Sequence, residues 1–314
     1  MRRIAALLGA FALAAPAAAG CGLGAGDEQE GDGVSVRVTR DFGRAELGAA
    51  RLASVREGET VMRLLRASFD VETRFGGRFV QAIDGLEGGG NGGGVDWFYF
   101  VNGLEADVGV AEYELSPGDR VQWDRRDWGA TMRVPAIVGA FPEPFLHGLE
   151  GKRRPVRVEC EDSEGAACET ARDRLKRVGV SSSGASIGAP GTEEVTRLVV
   201  AGWPAARIVR GAAGLEEGPE TTGVFARFAP GGERLELLDE RGRVARTVGP
   251  GDGVGVVLAL APRDREIVWL VTGLDERGVL AGARALRAGA LRDAFAVAVQ
   301  GRTVEKLPLP EQDR

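Results

Sequence analysis

Trp97-Phe98-Tyr99-Phe100-Val101, followed at once by Asn102-Gly103, constrains this chain more than any other stretch. Five consecutive residues of high strand propensity predict a β-strand. Asn-Gly behind them is the strongest short hairpin signal, because both residues tolerate positive φ. Val34, Val36 and Val38 alternate with Ser35, Arg37 and Thr39, the period of a half-buried strand. A second strand is expected over Arg51–Arg56. Gly58-Glu59-Thr60 opens a helix, with Thr60 as cap and Val61, Leu64, Leu65 and Phe69 on one face. Val80, Ile83 and Leu86 flank an extended segment with a turn at Asp84-Gly85. Ser116-Pro117-Gly118-Asp119 makes a further turn before a strand from Arg120 to Asp124. The order predicts a small α+β sheet with one helix on its face.

Four of these signals together carry a resemblance. They are Gly58-Glu59-Thr60-Val61, Ile83-Asp84-Gly85, Trp97-x-Tyr99-x-Val101-Asn102-Gly103 and Gly118-Asp119-Arg120-Val121-x-Trp123. Residues 34–128 resemble a bacterial domain of unknown function related to the C-terminal domain of transcobalamin and intrinsic factor. The resemblance implies a β-grasp-like module on an exported protein. Its animal relatives hold cobalamin between this domain and a separate helical barrel. No helical barrel is visible in this sequence, so cobalamin is implied only as a ligand class and no cofactor is expected.

Three of the five Trp (Trp97, Trp123, Trp128) and both Tyr (Tyr99, Tyr113) fall within residues 97–128. Aromatic faces with polar tips suit a planar or sugar-like ligand. Trp97, Tyr99, Asn102, Tyr113 and Trp128 are therefore the candidate ligand contacts. The competing reading is that Trp97, Tyr99 and Trp123 fill the core of a small sheet. The fold has less need of Trp128 or of the six glycines between Gly88 and Gly94, which read as a mobile loop.

The N-terminus carries Arg2-Arg3, an uncharged run from Ile4 to Ala19 and a small-residue zone, the pattern of a signal peptide over residues 1–20. Ala18-Ala19-Gly20-Cys21 resembles a bacterial lipobox, which implies a lipid on Cys21 and anchoring to the outer face of the cell membrane. The alternative is ordinary secretion with Cys21 a stray thiol. Cys160 and Cys168 then remain as an even pair in an oxidising compartment, and a disulfide is expected between them. Residues 21–33 read as a flexible tether. Formal charge is −6 with a single histidine, His147. That balance argues against a nucleic-acid partner and leaves neither a His-rich metal site nor a His-led relay.

Residues 134–305 predict a mixed α/β domain, with 306–314 as a tail. Strands are expected at Pro155–Cys160, Ala206–Val209, Val224–Phe228, Leu235–Leu238, Val244–Val248, Val254–Leu260, Ile267–Thr272 and Phe295–Val299. Helices are expected at Ala166–Val178, from Thr192 to about Gly202, and from Glu276 to Leu286. Ser181–Ser186 reads as a polar loop, and Gly211–Gly223 as an acidic one. A serine hydrolase lacks its G-x-S-x-G elbow here. Glu159, Glu161, Asp162 and Glu164 form an acidic loop with no calcium-loop spacing. The expected function is non-enzymatic binding of a small ligand or an envelope component, with the membrane reached through the lipid. The alternative is an adhesion module that pairs through exposed strand edges.

Overall fold

The computed structural model describes residues 28–29, 31–89, 94–190, 194–263 and 266–311. The signal segment, Cys21, residues 90–93 of the glycine loop, Thr192 and residues 312–314 lie outside the described residues.

The first module is built on alternation. A two-residue strand, β1 (Glu28–Gln29), precedes β2 (Val34–Arg40), whose Val34, Val36 and Val38 point into a core. β3 (Ala45–Leu52) returns antiparallel to β2, and β4 (Val55–Arg56) pairs with β1. The second strand thus starts earlier than Arg51, where Ala45, Gly48, Ala49 and Ala50 carry little side-chain pattern. The β1–β4 ladder also corrects the expected tether, because Glu28 and Gln29 are already in a sheet. Helix α1 (Val61–Arg66) is capped by Thr60, whose hydroxyl accepts from the Arg63 amide at 3.3 Å. It buries Val61, Leu64 and Leu65 completely.

A small antiparallel flap follows, made of β5 (Val71–Arg74), β6 (Phe79–Ile83) and β7 (Leu86–Glu87). The aromatic run becomes β8 (Val95–Val101). It turns through Asn102 and Gly103, at φ 53° and 84°, into β9 (Leu104–Glu105). β10 (Arg120–Asp127) lies antiparallel to β8 and parallel to β2, giving the order β3-β2-β10-β8-β9. With α1 on one face, this is the expected β-grasp-like α+β module.

In the second module β11 (Val156–Cys160), α2 (Ala166–Arg177) and β12 (Ser182–Ser186) form a parallel crossover. β13 (Thr196–Gly202) lies on the other side of β11. Short helices α3 (Trp203–Ala206) and α4 (Pro219–Thr222) lead to a three-stranded sheet of β14 (Ala226–Phe228), β15 (Leu235–Leu238) and β16 (Val244–Val248). β17 (Val254–Arg263), β18 (Glu266–Gly273), α5 (Glu276–Ala285), α6 (Ala288–Leu291), β19 (Ala296–Gln300) and β20 (Thr303–Leu307) complete the chain. The main sheet runs β12-β11-β13-β18-β17-β19-β20.

Four expectations are corrected here. The helix expected to end near Gly202 is the buried strand β13, whose short apolar run has no decisive period. Ala206 closes a helical turn rather than opening a strand. Ser182–Ser186 is an exposed edge strand. The expected tail includes the end of β20, and Leu309 packs on, its amide donating to the Leu238 carbonyl at 2.8 Å. Close backbone packing accounts for some of the 48 glycines: a Cβ on Gly255 would sit 2.0 Å from the Gly278 carbonyl oxygen, so helix α5 rests on β17.

Cys160 and Cys168 are bridged, with Cα atoms 6.0 Å apart, tying the end of β11 to the first turn of α2. Such a bond persists in oxidising compartments. Replacing both by serine is expected to lower stability by about 2–3 kcal/mol, the closure entropy of so short a loop. Urea unfolding of the oxidised protein and the double variant reads this directly. Equal midpoints would show that the bridge constrains nothing.

The two modules share a core. The face of the first sheet turned away from α1 carries Phe98, Phe100, Gln122, Asp124 and Arg126, and it is covered by the second module. The turn after β2 holds Asp41, Phe42 and Gly43 at φ 58°, 58° and 73°. It inserts Phe42 between Phe225 and Phe295, with ring centroids 5.0 and 5.3 Å away. Arg37 is bidentate to Asp293, one arm at 2.7 Å. Gln122 donates to the Asp293 carbonyl at 3.0 Å, and Lys306 donates to the Gly43 carbonyl. The connector between the modules, which carries Pro135, Pro142 and Pro144, is also core, for Phe141 and Phe145 pack on Trp269.

Candidate functional site

The hairpin at Asn102-Gly103 is fastened on three sides. The Asn102 side-chain amide donates to Asp119 at 2.7 Å and to the Gly148 carbonyl at 2.9 Å, and its oxygen accepts from the Arg120 amide at 2.9 Å. Burial pushes the Asp119 carboxyl up to about 6 against its hydrogen bonds from Ser116 and Asn102. β9 then runs beside the connector, the Glu105 amide donating to the Pro135 carbonyl at 3.0 Å. Where these segments meet β17, they leave a cleft of about 190 Å³ lined by Leu104, Glu105, Tyr113, Arg133, Leu149 and Pro262 among others.

Glu105 is the unusual group in its wall. Its side chain is 9% exposed, and Oε2 has no hydrogen-bond partner among the described residues. Burial raises its carboxyl above the ordinary range, and Arg126 at 3.8 Å and Arg133 at 3.6 Å draw it part of the way back. Arg126 is wholly buried, and burial pushes its guanidinium down to about 10. It lies 3.8 Å from the centre of the Phe98 ring and donates to the carbonyls of Thr131 and Met132 at 3.0 and 2.9 Å. That grip holds the strap carrying Arg133 over the cleft. Beyond Arg133 and Pro135, which line both, an open groove of about 600 Å³ continues past Met132 and Trp128.

The five aromatic and amide candidates separate. Tyr113 lines the cleft and Trp128 the groove. Trp128 also meets the end of the glycine loop, its amide donating to the Gly94 carbonyl at 2.7 Å. Trp97, Tyr99 and Asn102 line neither. Trp97 is buried and donates to the Leu86 carbonyl at 3.2 Å. Tyr99 stacks on Trp123 at 5.0 Å and donates to the Val108 carbonyl at 2.7 Å. Asn102 is buried in the staple described above, so these three serve packing. Sequence reasoning missed Glu105, Arg126 and Arg133. The visible signal was β8, where Phe98 and Phe100 alternate with Trp97, Tyr99 and Val101, so that both faces of the strand are apolar.

The remaining sequence candidates are occupied within the fold. Glu159 is buried and held by Arg157 and Arg197. His147 bridges Glu143 and Asp32, its ring nitrogens 2.8 and 3.0 Å from their carboxylates. Asp275 caps α5 by accepting from the Gly278 amide at 2.8 Å. Among the described residues no group of three or more His, Cys, Asp and Glu is placed to hold a metal ion. No described helix is long and apolar enough to cross a membrane.

No curated protein matches the chain. Among solved structures, a metal-binding candidate protein from Ruminococcus gnavus ATCC 29149 is similar over 31% of this chain and 97% of its own, at 14% identity and a TM-score of 0.26. Haptocorrin in complex with Cbi is similar over 30% of this chain and 25% of its own, at 19% identity and a TM-score of 0.23. Residues 58–126, from the turn before α1 to Arg126 in β10, match the family described as a domain of unknown function, DUF4430.

Proposed function

We propose that the protein is a non-enzymatic binding protein outside the cytoplasm, anchored to the membrane by lipid on Cys21. Its small ligand is taken at the cleft and groove between the two modules. The observation that carries this reading is Glu105, a nearly buried carboxylate in a cleft wall whose Oε2 makes no hydrogen bond and only a 3.6 Å ion pair with Arg133. Leaving such an acceptor unmade costs about 1–3 kcal/mol, so a ligand that brings an N–H or O–H donor gains more there than in water. Tyr113 and Leu104 supply contact area, and Arg133 stands between cleft and groove.

Volume limits the ligand. A cleft of about 190 Å³ takes a substituent, whereas the 600 Å³ groove takes a ring system lying against Trp128. Corrinoids fit that division, with a peripheral amide at Glu105 and the macrocycle over the groove. The motif resemblance to the transcobalamin C-terminal domain supports the same class.

The test is thermal shift and tryptophan fluorescence of the protein against cobinamide, haem and envelope oligosaccharides. At least one is expected to raise the melting temperature, with Glu105→Gln weakening it about tenfold, roughly 1.4 kcal/mol. Trp128→Ala is expected to remove the fluorescence response. Silence from every compound would overturn the reading in favour of adhesion through strand edges.

A further inference from the structure

The flap opposite the module junction ends in an unusual tip. Between β5 and β6 the chain reads Arg74-Phe75-Gly76-Gly77-Arg78-Phe79. Phe75, Gly76 and Gly77 all lie in the left-handed region, at φ 53°, 71° and 90°. For a bulky residue such as Phe this conformation is uncommon and unfavourable. It aims the ring outwards: Phe75 is 81% exposed, and Phe79 beside it is 37% exposed, the two rings edge-to-face at 6.5 Å. A Cβ on Gly76 or Gly77 would meet no atom within 4 Å, so the tip stands clear of the body. Arg74 and Arg78 are exposed on either side, and neither makes an ion pair with a described residue.

The same module uses this device once more. Asp41-Phe42-Gly43 also strings three left-handed residues together, and there the Phe is driven into a second surface until 1% of it is exposed. Phe75 has the geometry of such a plug with nothing seated on it.

Size and charge choose the partner. Two exposed rings offer at most about 300 Å², well below the roughly 800 Å² that a stable protein interface takes from each side. A lipid surface has no such threshold, since one or two aromatic side chains can enter the headgroup boundary while neighbouring arginines meet anionic lipid. We propose that the Phe75–Phe79 tip is a membrane-contact element that inserts its aromatic pair into an anionic bilayer surface, with Arg74 and Arg78 on the phosphates. It is separate from the ligand cleft, and neither assignment depends on the other.

The test places a polarity-sensitive thiol dye at position 75 of the full chain as Phe75→Cys, with Cys21→Ser so that only one thiol is free. A second preparation carries the dye as Ile208→Cys, an exposed position on the other module. Vesicles of phosphatidylcholine alone and of phosphatidylcholine rich in phosphatidylglycerol are added to each. Dye at 75 is expected to shift to the blue on the anionic vesicles only, and dye at 208 to stay unchanged. Arg74→Glu with Arg78→Glu is expected to weaken the response about tenfold or more, as is high salt. A dye at 75 that stays in water while the chain sediments with anionic vesicles overturns the proposal. Equal shifts at 75 and 208 overturn it too, because the contact would then not belong to the tip.

Discussion

Arg197→Ala is expected to destabilise the protein by about 3–5 kcal/mol, read as a lower midpoint in urea unfolding. Arg197 lies on β13 beside β11 and grips Glu159 with two parallel hydrogen bonds of 2.8 and 2.7 Å, both side chains almost wholly buried. Burial alone would raise the Glu159 carboxyl. The Arg197 hydrogen bonds and charge, with those of Arg157, instead hold it below its ordinary value. Removing Arg197 leaves a buried carboxylate with Arg157 as its remaining cation, and the loss follows from that exposure of charge to an apolar setting. The pair itself is a weak net contributor by the same physics. Arg197→Met combined with Glu159→Leu should therefore recover most of what the single substitution loses. Arg157 keeps the Pro190 carbonyl at 2.9 Å in that background. A double variant as unstable as the single one would show that the bidentate geometry, rather than the unpaired charge, sets the loss.

Asp124→Ala is expected to be the second severe change, with an effect that depends on pH. The Asp124 carboxylate is fully buried and accepts from the amides of Phe42 and Gly43 at 3.0 and 2.7 Å and from the Thr39 hydroxyl at 2.6 Å. Those amides belong to the turn that inserts Phe42 into the second module. Alanine orphans two buried amides, each worth about 1–3 kcal/mol, while the Thr39 hydroxyl keeps the Trp123 carbonyl at 2.9 Å. Burial also pushes the Asp124 carboxyl up to about 6 from 3.8. A group raised on folding contributes stability that is fully present below its unfolded value and is lost as pH rises through its folded value. The wild type therefore holds its full advantage over the variant near pH 4 and loses on the order of 2–3 kcal/mol of it by pH 7.5. Unfolding curves at both values check the sign. A deficit that widens towards neutral pH would contradict it.

The β-grasp-like module was legible because its signals are local: a cap at Thr60, turns at Asp84-Gly85 and Asn102-Gly103, and period-two valines in β2. The candidate site was not, because it lies between modules. Gln122, Asp124 and Arg126 occupy the alternate positions that ordinarily face water, and only the second module makes them interior. One signal did point there. Phe98 and Phe100 alternate with Trp97, Tyr99 and Val101, so β8 is apolar on both faces, the pattern of a strand covered twice. In the second module, β12 is all Ser, Gly and Ala and has no pattern to read. Helix and buried strand are indistinguishable by period over the short run of β13.

The ladder between β1 and β4 would shorten the leash of the proposed lipid anchor. Only seven peptide units separate Cys21 from Glu28, where the sheet begins. Fully extended, they reach about 25 Å. With lipid on Cys21 as proposed, the body searches a shell no deeper than its own diameter, and the bilayer is presented to it at an effective concentration in the millimolar range. A surface contact too weak to register in dilute solution would then be occupied much of the time, and the orientation of the ligand cleft towards the cell exterior would be set by it.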